Sequence, residues 1–207
     1  MIDLYTWATP NGRKVSIMLE ETGLEYATHE VNLGKGEQRA PEYLAINPTN
    51  KIPTIIDQDG PGDGPFTLFE SGAILIYLAE KTGRFFPQGE RARHETMQWL
   101  MFQMGNFGPM LGQNHHFRGL DHEEAYSIER YANETARLYG VLDQHLKHQE
   151  FLAAGEYTIA DMATYPWVAR FQRHKTDLAD FPNVLRWYQA LGKRPPVEKG
   201  MAVPFFN

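Results

Sequence analysis

The sequence predicts a mixed α/β domain followed by an all-helical one. Strand signals stop near residue 70, and before that point strands and helices follow the order β-α-β, a connecting segment, then β-β-α. Beyond residue 90 apolar residues recur at helical spacing between short breaks, the texture of a helical bundle.

Ile2 to Thr6 is a short run of β-formers, and Thr9-Pro10-Asn11-Gly12 supplies turn and helix-start chemistry. Val15, Met18, Leu19 and Thr22 recur at helical spacing until Gly23 stops the run. Thr28 to Leu33 alternates as a strand, Gly34 to Gln38 reads as a polar loop, and Pro41 to Ile46 as one or two helical turns. After a break at Asn47-Pro48-Thr49-Asn50, Thr54 to Asp57 and Phe66 to Phe69 are β-like runs joined by a Gly/Pro/Asp loop, so an antiparallel hairpin is expected. A helix runs from Ser71 through Ile74, Leu75 and Leu78 to Gly83. Phe85 to Gly89 is the linker candidate, which sets the domains at 1–84 and 90–207. In the second domain Glu90 to about Gln103 and Glu123 to Gln149 are helical patterns, the latter with Ile128, Tyr131, Thr135, Leu138, Leu142 and His145 on one stripe. Thr158-Ile159-Ala160-Asp161 fits a capping box, and Phe181-Pro182-Asn183-Val184 opens a helix that ends before Arg194-Pro195-Pro196.

Composition narrows the chemistry. A chain of 207 residues buries about 70% of its unfolded surface, enough for a sizeable core without staples. The mean hydropathy of -0.49 leaves no room for a membrane span. Twenty basic against 26 acidic residues give a net charge of -6, which removes the footprint that phosphate-backbone binders need, so nucleic acid is not an expected partner. Cysteine is absent, excluding disulfide scaffolds, thiolate metal sites, Cys nucleophiles and Cys-x-x-Cys redox pairs. Sulfur chemistry here needs a borrowed thiol. The opening Met1-Ile2-Asp3-Leu4-Tyr5 lacks the basic start and apolar stretch of a secretory signal, so a cytoplasmic protein is expected.

Several constellations have bland readings. The Asp-rich loop from Asp57 resembles a calcium loop, but Pro61 stands where a ligand is needed and Leu68 where the closing Glu belongs, so it reads as a turn. Gly34-Lys35-Gly36 lacks the third Gly of a dinucleotide fingerprint. His115-His116 with His122, and His145 with His148, have no carboxylate completing a ligand set, and no metal is expected. Three features sit where the chain turns toward a helix or strand end. A cis bond at Ile52-Pro53 would leave the backbone of Ile52 to pair with an extended peptide. Glu70-Ser71 could hold an ammonium and a carboxylate at a helix start, with a plain N-cap as the rival. Thr9-Pro10-Asn11 offers a hydroxyl and an amide where an anionic sulfur would be stabilised, with capping again the rival.

With Lys51-Ile52-Pro53, Phe69-Glu70-Ser71-Gly72-Ala73-Ile74 and Tyr157-Thr158-Ile159-Ala160-Asp161, the chain resembles the glutathione transferase family over nearly its whole length. The resemblance implies a thioredoxin-like N-terminal domain and an all-α C-terminal one. Thr9-Pro10-Asn11-Gly12, Leu33-Gly34-Lys35-Gly36, Asn50-Lys51-Ile52-Pro53, Trp99 to Gln103, Ile128-Glu129-Arg130-Tyr131 and above all Gly108-Pro109-Met110-Leu111-Gly112-Gln113-Asn114-His115-His116-Phe117 resemble the bacterial Nu-type members, which are glutathione-dependent disulfide-bond oxidoreductases, and through them the folded domain of the Ure2 prion protein.

That resemblance implies a homodimer with glutathione as co-substrate and one glutathione site per subunit. Glu70 and Ser71 would hold the γ-glutamyl end, and Ile52 beside Pro53 would pair with the cysteinyl unit. Gln38 and Lys51 would face the glycyl carboxylate. Asn11, assisted by Thr9, would face the sulfur, while Gln103 and Arg130 would reach glutathione or a second glutathionyl unit. An exposed ion pair is the rival role for Arg130. Better-known transferase classes put a Tyr, Ser or Cys against the sulfur, whereas here Tyr5 lies inside the first strand and Thr9 and Asn11 occupy the turn. This departure fits disulfide exchange, which needs a poised thiolate and no protein nucleophile. The alternatives are a conventional transferase conjugating an unidentified electrophile and a non-catalytic glutathione-binding regulatory module.

Overall fold

The computed structural model describes residues 1–62, 64–122 and 124–204. Its elements are β1 (Ile2–Thr6), α1 (Pro10–Thr22), β2 (Tyr26–Glu30), α2 (Pro41–Leu44), β3 (Thr54–Asp57), β4 (Phe66–Phe69), α3 (Ser71–Thr82), α4 (Glu90–Phe102), α5 (Gly108–Arg118), α6 (Ala125–Leu146), α7 (Ile159–Val168), α8 (Pro182–Gly192) and α9 (Pro195–Ala202). Residues 1–84 together with the chain from Arg194 form one compact unit, and 85–193 form a second. No helix among the described residues is long and apolar enough to cross a membrane.

The first unit is thioredoxin-like. Its four strands lie in the order β2-β1-β3-β4, with β1 parallel to β2 and antiparallel to β3, and β3 antiparallel to β4. Alternation along β1 buries Ile2, Leu4 and Thr6, and α1 and α3 supply Val15, Met18, Leu19, Ile74, Leu75 and Leu78 to the same core. β2 begins two residues and ends three residues earlier than expected, because Asn32 accepts from the Lys35 amide at 3.1 Å and caps a 3-10 turn over Leu33–Lys35. The supposed polar loop is therefore two 3-10 turns, the second over Glu37–Arg39. The hairpin is antiparallel as expected, and buried Asp57 organises its loop. It accepts from the Tyr77 hydroxyl at 2.6 Å and from the Asp59 amide at 3.0 Å, and pairs with Lys81 at 3.0 Å. Asp63 of that loop, and Glu123 at the expected start of α6, lie outside the described residues.

The expected helical domain running to residue 207 needs a correction, because the chain from Arg194 packs on the first unit. Pro195 and Pro196 open α9 rather than forbid it, since a proline at the first helical turn lacks only an amide that would be unpaired there. α9 lies on α1. Ser16 Oγ donates to the Gly200 carbonyl at 2.6 Å, and a Cβ on Gly200 would stand 2.5 Å from Ile17 Cα, so only glycine permits the approach. Arg194 grips buried Glu21 with two hydrogen bonds, Nε to Oε1 at 2.7 Å and a terminal nitrogen to Oε2 at 2.9 Å.

The second unit is a helical bundle built around α7, every residue of which is buried. The expected linker packs onto this unit. Phe86 is 2% exposed under the Arg93 guanidinium, and the Phe85 carbonyl accepts from the Ile159 amide at 3.0 Å. The capping box forms as expected, with Asp161 Oδ2 accepting from the Thr158 amide at 3.0 Å. Asp161 Oδ1 also accepts from the Leu152 amide at 3.0 Å and Trp187 Nε1 at 2.9 Å, tying α7 to α8. Burial pushes the Asp161 carboxyl up to about 6 against the pull of these bonds. At α8 the cap comes from Asp143 of α6, whose Oδ1 accepts from the Asn183 and Val184 amides at 2.7 and 3.1 Å. The stripe expected on α6 faces the core through Thr135, Leu138 and Leu142. Between α4 and α5 the backbone widens into a π-helical stretch, Gln103–Phe107.

Candidate active site

Strand register gathers the candidates of the first unit. Tyr5 pairs with Thr54 and Thr54 with Phe69, while Thr6 pairs with Glu30. One edge of the sheet thus holds the C-terminal ends of β1, β2 and β4 and the start of β3. Thr9 and Asn11 leave β1 there, Glu70 and Ser71 leave β4 there, and the β2 to β3 connection carrying Gln38, Lys51, Ile52 and Pro53 begins and ends there. The N-termini of α1 and α3 open at this edge, and their positive dipole ends favour an anion.

Thr9 caps α1, its Oγ1 accepting from the Gly12 amide at 3.2 Å. A Cβ on Gly12 would stand 2.3 Å from Thr6 Oγ1 and 2.6 Å from the Trp7 carbonyl, so glycine is required for the helix to start this close to β1. Asn11 is half-buried in the first turn of α1. Gln38 is half-buried in the second 3-10 turn, and its enclosed Oε1 has no hydrogen-bond partner among the described residues.

The Lys51 carbonyl is clamped by the Tyr43 hydroxyl at 2.6 Å and by Asn47 Nδ2 at 2.8 Å. Asn47, 1% exposed, also donates to Thr54 Oγ1 at 2.9 Å and accepts from the Thr49 amide at 3.0 Å and hydroxyl at 2.7 Å. The break read at Asn47 to Asn50 is therefore a bracket that fixes the chain entering Ile52. The Ile52–Pro53 peptide is cis, as expected, and directly precedes the paired part of β3.

Glu70 has a left-handed backbone, φ 71° and ψ 111°, and its side chain makes no capping hydrogen bond. It is exposed, while Ser71 beside it is buried and begins α3. Behind Ser71 stands a residue the sequence did not single out. Lys14 of α1 is 1% exposed, and its Nζ donates to Ser71 Oγ at 3.3 Å. Burial lowers its ammonium to about 7, with the Glu70 carboxylate pulling the other way. In the sequence, Arg13-Lys14 just after an N-cap looks like a solvated helix face; only the packing of α3 on α1 reveals otherwise.

In the second unit Gln103 is fully buried, with its amide beside Gly108, where a Cβ would stand 2.6 Å from Nε2. Arg130 is exposed on α6 and lines a cleft of about 610 Å³ with Met110, Tyr126 and Arg137. The histidines have other partners. His115 lies against His174 with ring centroids 4.7 Å apart, His145 bonds the Leu152 carbonyl at 2.8 Å, and His122 meets Asp121 at 2.9 Å. Among the described residues no group of three or more His, Asp or Glu could hold a metal ion.

The glutathione S-transferase N-terminal domain family matches residues 1–80, and the glutathione S-transferase C-terminal domain family matches 104–195. The chain is 51% identical to YfcG of Escherichia coli K12, named a disulfide-bond oxidoreductase, over 94% of this chain and 92% of that one. A glutathione transferase of Pseudomonas putida, solved with one glutathione disulfide bound per subunit, superposes with a TM-score of 0.94 at 45% identity, covering 98% of this chain and 91% of that one. One from Burkholderia graminis, with two glutathione molecules per subunit, gives 0.92 at 46% identity, covering 100% and 89%. A thioredoxin-like unit, a helical unit and likeness along almost the whole sequence agree: the chain belongs to the glutathione transferase family.

Proposed function

We propose that the protein is a glutathione-dependent disulfide-bond oxidoreductase that uses no thiol of its own. The observation that carries this reading is the sheet edge itself: Thr9, Asn11, Ile52, Pro53, Glu70 and Ser71 meet beside two helix N-termini in a chain without cysteine. The likeness to YfcG and to enzymes that hold glutathione or its disulfide supports it.

In this reading Glu70 and Ser71 hold the γ-glutamyl end, Ile52 pairs with the cysteinyl unit beside Pro53, and Gln38 and Lys51 face the glycyl carboxylate. Asn11, assisted by Thr9, faces the sulfur. In the second unit exposed Arg130 offers its guanidinium to a carboxylate of a second glutathionyl unit, whereas fully buried Gln103 takes no ligand contact in this reading. The bound thiolate attacks one sulfur of a small or mixed disulfide, forming a new S–S bond and expelling the other sulfur as thiolate. A second glutathione thiolate attacks the mixed disulfide, giving oxidised glutathione and the second product thiolate. The two glutathiones supply both electrons. Lowering the thiol pKa by two units is worth about 2.7 kcal/mol, within reach of a helix end plus one or two hydrogen bonds. At neutral pH this raises the thiolate fraction from a few per cent to most of the population.

Comparing glutathione-dependent turnover of 2-hydroxyethyl disulfide with that of a chloronitrobenzene tests the reading. Disulfide reduction should dominate and survive prior treatment of the protein with iodoacetamide. Turnover of the aryl halide alone would make the protein a conjugating transferase, and binding without any turnover would make it a binding module. A homodimer accompanies the reading, and sedimentation equilibrium tests it.

A further inference from the structure

We propose that Tyr126 is a specificity-determining residue for the acceptor: together with Arg130 it selects disulfides in which one half carries an aromatic ring close to a carboxylate. The inference rests on the glutathione-dependent disulfide reading and names the acceptor class that reading leaves open.

The cleft on α6 holds about 610 Å³, within the range of sites that enclose drug-sized ligands and far more than one half of 2-hydroxyethyl disulfide fills. Its apolar lining comes from three side chains. Tyr126 is 74% exposed, so it forgoes the stabilisation that burial gives an aromatic ring, and a flat ring laid against it restores that gain. Tyr131 is held in place by stacking on Phe117, the ring centroids 5.4 Å apart and the planes 9° from parallel. Met110 of α5 adds a thioether, which adapts to an aromatic face. The charges of the same wall set the rest of the ligand. Arg137 grips Glu134 with two hydrogen bonds, Nε to Oε2 at 2.8 Å and a terminal nitrogen to Oε1 at 2.6 Å, a pair that cancels its own charge. Arg130 is exposed in the cleft, with exposed Glu129 beside it, so the cleft suits a ligand half with a single carboxylate rather than a polyanion. Tyr126 and Arg130 stand one helical turn apart on α6 and share a face. A ligand that meets both therefore needs its ring and its carboxylate only a few bonds apart.

The test measures kcat/KM at fixed glutathione for three disulfides: that of 2-benzyl-3-sulfanylpropanoate, that of its primary amide, which keeps the ring without the charge, and 3,3′-dithiodipropionate, which keeps the carboxylate without the ring. Wild type should prefer the first over each of the others by about three- to tenfold. Tyr126→Ala should remove the advantage over dithiodipropionate, through KM, and keep the advantage over the amide. Tyr126→Phe, which retains the ring, should keep both. A preference absent from wild type, or unchanged in Tyr126→Ala, would overturn the role of Tyr126. So would a Tyr126→Ala protein that sediments as a smaller species than wild type, since the ring would then belong to a contact between copies. Wild type that reduces none of the three, nor 2-hydroxyethyl disulfide, would instead remove the disulfide reading, and this inference with it.

Discussion

Acidification from about pH 7 to about pH 5 should destabilise the protein through His174 by about 2 kcal/mol. His174 is 2% exposed, and Nδ1 meets the Tyr139 hydroxyl at 3.0 Å, while its Nε2 has no hydrogen-bond partner among the described residues. Burial, with His115 and Arg170 nearby, lowers it to about 3 from the ordinary 6.5. Between those values the unfolded chain takes up a proton that the folded protein refuses, so stability rises with pH there and falls as the pH drops below 6.5. Half-buried His115, lowered to about 4 chiefly by burial, acts in the same direction. Asp161, raised to about 6 by burial, acts in the opposite one, gaining stability as it protonates. Comparing His174→Phe with wild type separates these contributions, because the other groups are common to both. In urea denaturation the stability difference between wild type and variant should shift by about 2 kcal/mol in the variant's favour from about pH 7 to about pH 5. A difference that does not change with pH would refute the buried, neutral imidazole.

Asn11→Ala should lower disulfide turnover far more than glutathione affinity, read as kcat against a calorimetric Kd; equal turnover would assign the sulfur to another group. Asn47→Ala removes the donor shared by the Lys51 carbonyl and Thr54 Oγ1, so denaturation should report a loss of about 1–3 kcal/mol together with weaker glutathione binding. Loss of stability with unchanged affinity would separate this bracket from the ligand. Gly200→Ala drives a Cβ into the Ile17 backbone and should lower stability by about 1–3 kcal/mol in thermal melts, and an unchanged melting temperature would show that α9 yields at no cost.

The site-bearing unit was largely legible because its signals are local. β1, the hairpin, the Thr9 cap and the stops at Gly23 and Gly83 follow from composition and turn chemistry within a few residues. Where tertiary packing decides, the sequence was a poorer guide. The edge strand β2 has few buried side chains to fix its limits. α5 was unread because Gly108, Pro109 and Gly112 look like breakers, whereas a Cβ on Gly108 would stand 2.6 Å from Gln103 Nε2, so glycine there lets the helix begin against that buried amide. Asn47 read as part of a break, although its side chain pins the carbonyl of Lys51. Lys14 carried no signal at all, since nothing in a run of charged residues says which of them is enclosed.

Because α9 returns to α1, the helical bundle is an insertion within the thioredoxin-like unit rather than an appendage to it. A ribosome making this chain must release residues 195–202 before the surface around Ser16 and Ile17 is covered. Completion of the glutathione-type unit is thereby deferred until the bundle has been synthesised, and a fragment ending at residue 84 would lack the Arg194 anchor for Glu21.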